Sequence, residues 1–171
     1  TIVHEIMDSK LPAPEKTTNR IFDELATVTG AGFETTAGAL RVALFHIFDN
    51  ENILKQLRTE LATIDTHNLK ALEQLPYLKA VLMEGMRISP AVATRMARIA
   101  PDRDILYNEW RILAGTPVGM TLVLLHMEET LWYPDPRRLN PDRWLDPDGE
   151  QTLHKNFAPF LRGTRACIGM Q

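Results

Sequence analysis

Between Pro14 and the Asp49-Asn50 pair, apolar residues recur at three- and four-residue steps: Ile21, Leu25 and Val28, then Leu40, Leu44 and Ile47. That is the period of one helical face, and it predicts a single helix over about 14–49. At 1.5 Å per residue such a helix is about 45 Å long, so much of a 171-residue chain has to be built against it. Its middle is peculiar, reading Thr29-Gly30-Ala31-Gly32 and then Phe33-Glu34-Thr35-Thr36. Two glycines in a helix interior cost about 2 kcal/mol against alanine, which implies a local packing or functional reason for them.

A second helix follows, with Asn50 as its cap and Ile53, Leu54, Leu57, Leu61 and Ile64 as its apolar stripe. After a loop near 66–68, a third spans about 77–89 and ends at Pro90. Leu78, Val81, Leu82, Gly85 and Met86 fill one of its faces, and Glu84 and Arg87 project together from the other, where an exposed pair would add only about 0.2–0.5 kcal/mol. The second half changes character. Ile105-Leu106-Tyr107 and Trp110-Arg111-Ile112-Leu113 flank Asn108-Glu109 as a hairpin, while the apolar run from Val118 to Leu125 fits a strand or a short helix equally well. Pro134, Pro136, Pro141 and Pro147 make 134–147 a stiff, irregular meander, because proline fixes φ and donates no backbone hydrogen bond. With no repeat and no linker, the expectation is one mainly α (α+β) unit over 1–171.

Charge and composition exclude several function classes. Nineteen basic residues against twenty-two acidic ones leave a net charge of -3, without the basic footprint of a general nucleic-acid binder. No apolar run approaches the ~20 residues of a membrane span, and the first residues do not form a signal peptide. A single cysteine, Cys167, excludes an intrachain disulfide and any multi-cysteine metal site. The five histidines (His4, His46, His67, His126 and His154) show no ligand spacing and read as structural or solvent-facing; Trp110, Trp132 and Trp144 read as core or loop packing.

Cys167 stands in Phe157-Ala158-Pro159-Phe160-Leu161-Arg162-Gly163-Thr164-Arg165-Ala166-Cys167-Ile168-Gly169. Gly163 and Gly169 bracket it and allow close backbone approach to a large flat ligand. Arg162 and Arg165 favour thiolate over thiol or pair with an anion, and Phe160 is placed to shield a sulfur from water. On composition alone a lone cysteine is more often a small buried hydrophobe. The spacing Phe160-x-x-Gly163-x-Arg165-x-Cys167-x-Gly169 overturns that, because it resembles the haem-binding signature of the cytochrome P-450 family, in which the cysteine thiolate ligates the haem iron.

Further segments carry the same resemblance in the same order. Ala31-Gly32-Phe33-Glu34-Thr35-Thr36 is similar to the family's distal-helix motif, which implies a small-residue groove at Gly32, an oxygen-orienting hydroxyl on Thr35 and a proton-delivering carboxylate on Glu34. Without the resemblance, the same residues would be a solvated Glu and a Thr bonded back to a helix carbonyl. Glu84-Gly85-Met86-Arg87 is similar to the Glu-x-x-Arg motif, with Arg143 of Pro141-Asp142-Arg143-Trp144 as partner, so Glu84, Arg87 and Arg143 would form a structural triad that fixes the meander. Arg165, and Arg95 or Arg98, would meet haem propionates.

The resemblance therefore implies the C-terminal part of a haem-thiolate monooxygenase fold, most like fungal members. It further implies haem b with Cys167 as metal ligand, electrons from an NADPH-dependent reductase, and a small apolar organic substrate. The parent would sit on the endoplasmic reticulum through an anchor this chain does not include. The segments that build much of the substrate pocket are also outside it, so a truncated, non-catalytic remnant is the alternative. An oxygen-independent member would more often lack the Glu34-Thr35 pair, and a cysteine hydrolase using Cys167 with His126 or His154 would leave the other motifs unexplained. Leu161 stands where the family has a small residue, Leu113-Ala114 where a proline is common, and Leu139 where an aromatic is usual.

Overall fold

The computed structural model describes residues 1–89, 91–146 and 153–170. Pro90 and Pro147, to which the sequence assigned a helix end and a meander end, lie outside the described residues. A short helix α1 (Ile2–Asp8) and a 3-10 turn at Ala13–Lys16 lead into α2 (Thr18–Asp49). The long helix thus starts four residues after Pro14. Pro12 and Pro14 hold the entry in a 3-10 turn, and Thr17 caps the helix by accepting from the Arg20 amide. Gly30 and Gly32 do not interrupt it, and a Cβ at either would meet nothing within 4 Å.

α3 (Glu51–Leu61) follows at once, because the Asn50 side chain accepts from both Asn52 and Ile53 amides. A single turn α4 (Leu69–Leu72), capped by Asn68, precedes α5 (Pro76–Ile88). No side chain at α5's own N-cap satisfies its first amides; Glu60 on α3 does so instead, accepting from Tyr77 N at 2.8 Å and Leu78 N at 2.7 Å. Strands β1 (Ile105–Tyr107) and β2 (Trp110–Ile112) pair antiparallel, Tyr107 opposite Trp110, around Asn108 at φ 51°. They form a sheet of two strands, and Trp110 is exposed rather than packed. The ambiguous apolar run resolves into one bridge, Arg98 to Val118, and a short helix α6 (Leu122–His126).

Two apolar clusters share α5. Ile53 and Leu57 of α3 meet Val81 and Leu139 on one side, while Ala80, Trp132, Trp144 and Leu153 meet on the other. α5 is accordingly buried nearly all round, and the two-face reading from sequence needs correction: Glu84 and Arg87 are fully buried, whereas Leu82 is 45% exposed. The α2 stripe also differs from the expected one. Leu40 and Leu44 are about half exposed, and the buried contact is Ala43, because α5 crosses α2 so closely that only small residues fit between them.

Gly85 is the crossing point. A Cβ added there would lie 2.9 Å from the Ala43 Cβ. Gly85→Ala therefore gains about 1 kcal/mol of helix propensity but forces the two helices apart, and a net loss of about 1–2 kcal/mol is expected from the overpacking. Urea unfolding reads it as a lower midpoint at unchanged slope; an unchanged or raised midpoint would mean that α2 and α5 separate freely.

Candidate functional site

Three elements, far apart in sequence, surround one cleft of about 350 Å³. α2 supplies Thr35, Ala39 and Ala43, α5 supplies Leu82, Gly85 and Met86, and the C-terminal loop supplies Phe160, Leu161 and Cys167. The close α2–α5 crossing brings the first two walls together, and the meander places the third. The hydroxyls of Thr35, Thr36 and Ser89 and the Cys167 thiol are the polar side-chain groups in an otherwise apolar lining.

Beneath it lies a buried charge cluster. Arg87 forks onto Glu84, Nε to Oε2 at 2.8 Å and Nη2 to Oε1 at 2.7 Å, while Arg143 Nε donates to Oε1 at 3.2 Å. Trp144 Nε1 and the Asn140 amide also donate to the carboxylate, at 2.9 and 3.2 Å. Two guanidinium groups against one carboxylate leave an excess positive charge in the interior, and backbone carbonyl dipoles take it up. Arg143 donates to the carbonyls of Trp132, Tyr133, Pro134 and Asp135, four in succession; Arg87 donates to those of His126 and Arg138. Burial pushes the Arg143 guanidinium down from its ordinary pKa, and Glu84 opposes that shift. Among the described residues, no buried side-chain polar atom is left without a partner. The meander, irregular because of its prolines, thus gets from one arginine the hydrogen bonds a sheet would otherwise provide.

The cysteine loop closes on itself. Cys167 N donates to Phe160 O at 2.8 Å, Leu161 N to Ala158 O at 2.9 Å and Ala166 N to Gly163 O at 3.1 Å. Gly163 has φ 77°, where a side chain would be strained. Leu161 has φ 62°, which is why a small residue suits this position and why leucine is costly there. Arg162 donates to the carbonyls of His154 and Phe157, tying the loop to the segment before it. Cys167 is exposed, not the buried small hydrophobe a lone cysteine most often is.

The remaining sequence-assigned residues sit around this frame. Thr35 Oγ1 donates to Ala31 O at 2.8 Å, the back-bond of a helical threonine, and keeps its lone pairs available on the cleft side. Glu34 is exposed, 4.0 Å from Arg41 Nη2. Gly32, Gly163, Gly169, Arg95, Arg98 and Arg165 do not line the cleft. Gly169 lies beside the thiol, where an added Cβ would make ordinary contact at 3.8 Å with Sγ. Arg95, Arg98 and Arg165 are exposed, and their side chains have no carboxylate partner among the described residues.

Sequence reasoning missed His126. It is wholly buried, stacked on Phe157 with centroids 5.7 Å apart, and held at both ring nitrogens: Nδ1 faces Arg87 O at 3.1 Å, and Nε2 accepts from the Ala158 amide at 3.2 Å. An acceptor at Nε2 places the proton on Nδ1. Desolvation lowers its pKa to about 4, so the ring is neutral at physiological pH. A lone histidine with no spaced partner carries no sequence signal of this role.

The cytochrome P-450 family model matches residues 4–171, from α1 through the cysteine loop. This chain belongs to the cytochrome P-450 family. Relatives include a cytochrome P-450 monooxygenase of Ascocoryne sarcoides, 38% identical over 99% of this chain and 34% of its own length. The N-acetyltryptophan 6-hydroxylase of Emericella nidulans is also 38% identical, over 99% of this chain and 35% of its own. The chain thus spans about a third of the length of the curated relatives it matches. Among solved structures it resembles the retinoic acid-bound cyanobacterial CYP120A1 with a TM-score of 0.69 and 25% identity, over 88% of this chain and 34% of that one. The fold is therefore that of part of a cytochrome P-450, and the family implies haem and a redox partner. Among the described residues, no helix is long and apolar enough to cross a membrane.

Proposed function

We propose that this chain carries the distal helix and cysteine loop of a fungal haem-thiolate monooxygenase that inserts one oxygen atom of O2 into a small apolar organic substrate. The observation that carries the reading is the shared cleft: the Cys167 thiol and the Thr35 hydroxyl, on segments at opposite ends of the chain, line one apolar space. Two relatives bear the names of hydroxylases, the N-acetyltryptophan 6-hydroxylase and a fusicoccadiene C-8 hydroxylase. Haem b is the proposed cofactor, an NADPH-dependent reductase the proposed electron donor, and the endoplasmic reticulum membrane the proposed location of the whole protein.

The residues fit such a group. An exposed thiol facing an apolar cleft is available as a soft ligand. Bound there, haem supplies dioxygen activation and oxygen-atom transfer, to which a thiolate ligand contributes electron density. Cys167 Sγ would hold the metal, with Phe160 and Leu161 beside it as apolar cover. Arg165, and Arg95 or Arg98, with no carboxylate partner among the described residues, would take the propionates as charge-assisted pairs. Gly163 and Gly169 would allow the loop backbone to approach a flat group, while Gly32 is not part of the cleft lining. Across the cleft, Thr35 Oγ1 would accept a hydrogen bond from a water, and Glu34, exposed one residue before it, would serve as the carboxylate that exchanges protons with solvent.

The test is the carbon monoxide difference spectrum of the reduced, haem-loaded protein. The expected result is the strongly red-shifted Soret band of a thiolate-ligated ferrous haem. A folded protein that takes up no haem, or takes it up without that band, would overturn the reading.

A further inference from the structure

We propose that His126 is the positioning residue that fixes the cysteine loop to the buried charge cluster. Its imidazole spans the gap between the two. Nδ1–H donates to the carbonyl of Arg87, the residue whose guanidinium grips Glu84, and Nε2 accepts from the amide of Ala158, where the chain enters the loop. The backbone of the same residue closes the circuit, since Arg87 Nη1 donates to His126 O at 2.6 Å. The ring also lies nearly parallel to Phe157, at 21°, and edge-on to Trp132, so packing leaves it one orientation.

Three residues past Ala158, Leu161 takes up its left-handed conformation and donates back to the Ala158 carbonyl. The carbonyl of Phe160, between them, accepts from the Cys167 amide. Where His126 holds Ala158 therefore sets where this turn begins, and through Phe160 where the thiol stands. Imidazole suits the task because it presents a donor and an acceptor on opposite edges of one rigid ring with no net charge. The contribution to Cys167 ligation rests on the proposed haem-thiolate reading; the anchoring of Ala158 does not.

Two substitutions separate the two edges of the ring. His126→Gln keeps an acceptor at the distance of Nε2 and gives up the donor near Nδ1; His126→Asn keeps a donor near Nδ1 and cannot reach Ala158. Both lose the ring's stacking, so a general packing defect affects them alike. Amide hydrogen exchange at Ala158 in the full-length protein is the readout, with the carbon monoxide spectrum recorded alongside. Asn is expected to raise Ala158 exchange about tenfold, the loss of one buried hydrogen bond, and to diminish the red-shifted band; Gln is expected to keep both near those of the parent. Equal exchange in the two variants, or an Ala158 amide in the Gln variant that exchanges about tenfold faster than the parent's, would overturn the proposal. If the parent itself shows no red-shifted band, the haem-thiolate reading fails, while the exchange comparison still decides the anchoring.

Discussion

Replacing Glu84 by alanine is expected to lower the unfolding free energy by about 3–5 kcal/mol, because it leaves two buried guanidinium groups with no carboxylate. Five donors converge on Glu84: Arg87 through two nitrogens, Arg143, Trp144 and the Asn140 amide. The six carbonyls that share the excess charge would then have to hold two uncompensated cations in a site where Arg87 has no exposure to water. Denaturant unfolding checks this directly, with the intrinsic tryptophans as local reporters, since Trp132 and Trp144 both belong to the cluster. A loss below about 1 kcal/mol would place this pair among ordinary exposed ion pairs and remove it as the anchor of the meander.

Cys167→Ser is expected to do the reverse: leave stability within about 0.5 kcal/mol of the parent, since the side chain is at the surface, and abolish the red-shifted Soret band entirely. A thiol becomes a soft anionic ligand near neutral pH; a serine hydroxyl does not ionise there. Recording unfolding and spectrum on the same preparation separates the two roles. A retained band would remove Cys167 as the ligand, and a large stability loss would mean that the thiol packs more tightly than its exposure indicates.

The contrast between these variants bears on what the sequence could reveal. The long helix was legible because its apolar period recurs on both sides of the glycine-containing middle, and Asn50 marked the next helix because a cap acts locally. The hairpin register followed from the two residues between its strands. The pairing of Glu84 with Arg87 and Arg143 was legible as motif spacing. What stayed hidden depends on contacts between distant segments. Glu60 capping α5, Trp144 donating to Glu84 and His126 reaching Ala158 each join residues many positions apart, and nothing in their neighbours announces it. Burial was misjudged for the same reason. Periodicity shows that a helix has an apolar side but not that α5 is enclosed on two, nor that small Ala43 rather than Leu40 or Leu44 meets it.

The four carbonyls gathered by Arg143 have a consequence for the order in which the molecule assembles. Synthesis proceeds from the N-terminus, so α5 with Glu84 and Arg87 is available before residues 132–135, and these precede the arginine that holds them. The meander has no ladder of its own and cannot settle as it emerges; it waits for a residue about ten positions downstream. Arg143 then joins segments made before it, and Cys167 follows it in the chain. The side chain that ties residues 132–135 together thus comes after them, and ahead of the cysteine loop, in the order of synthesis.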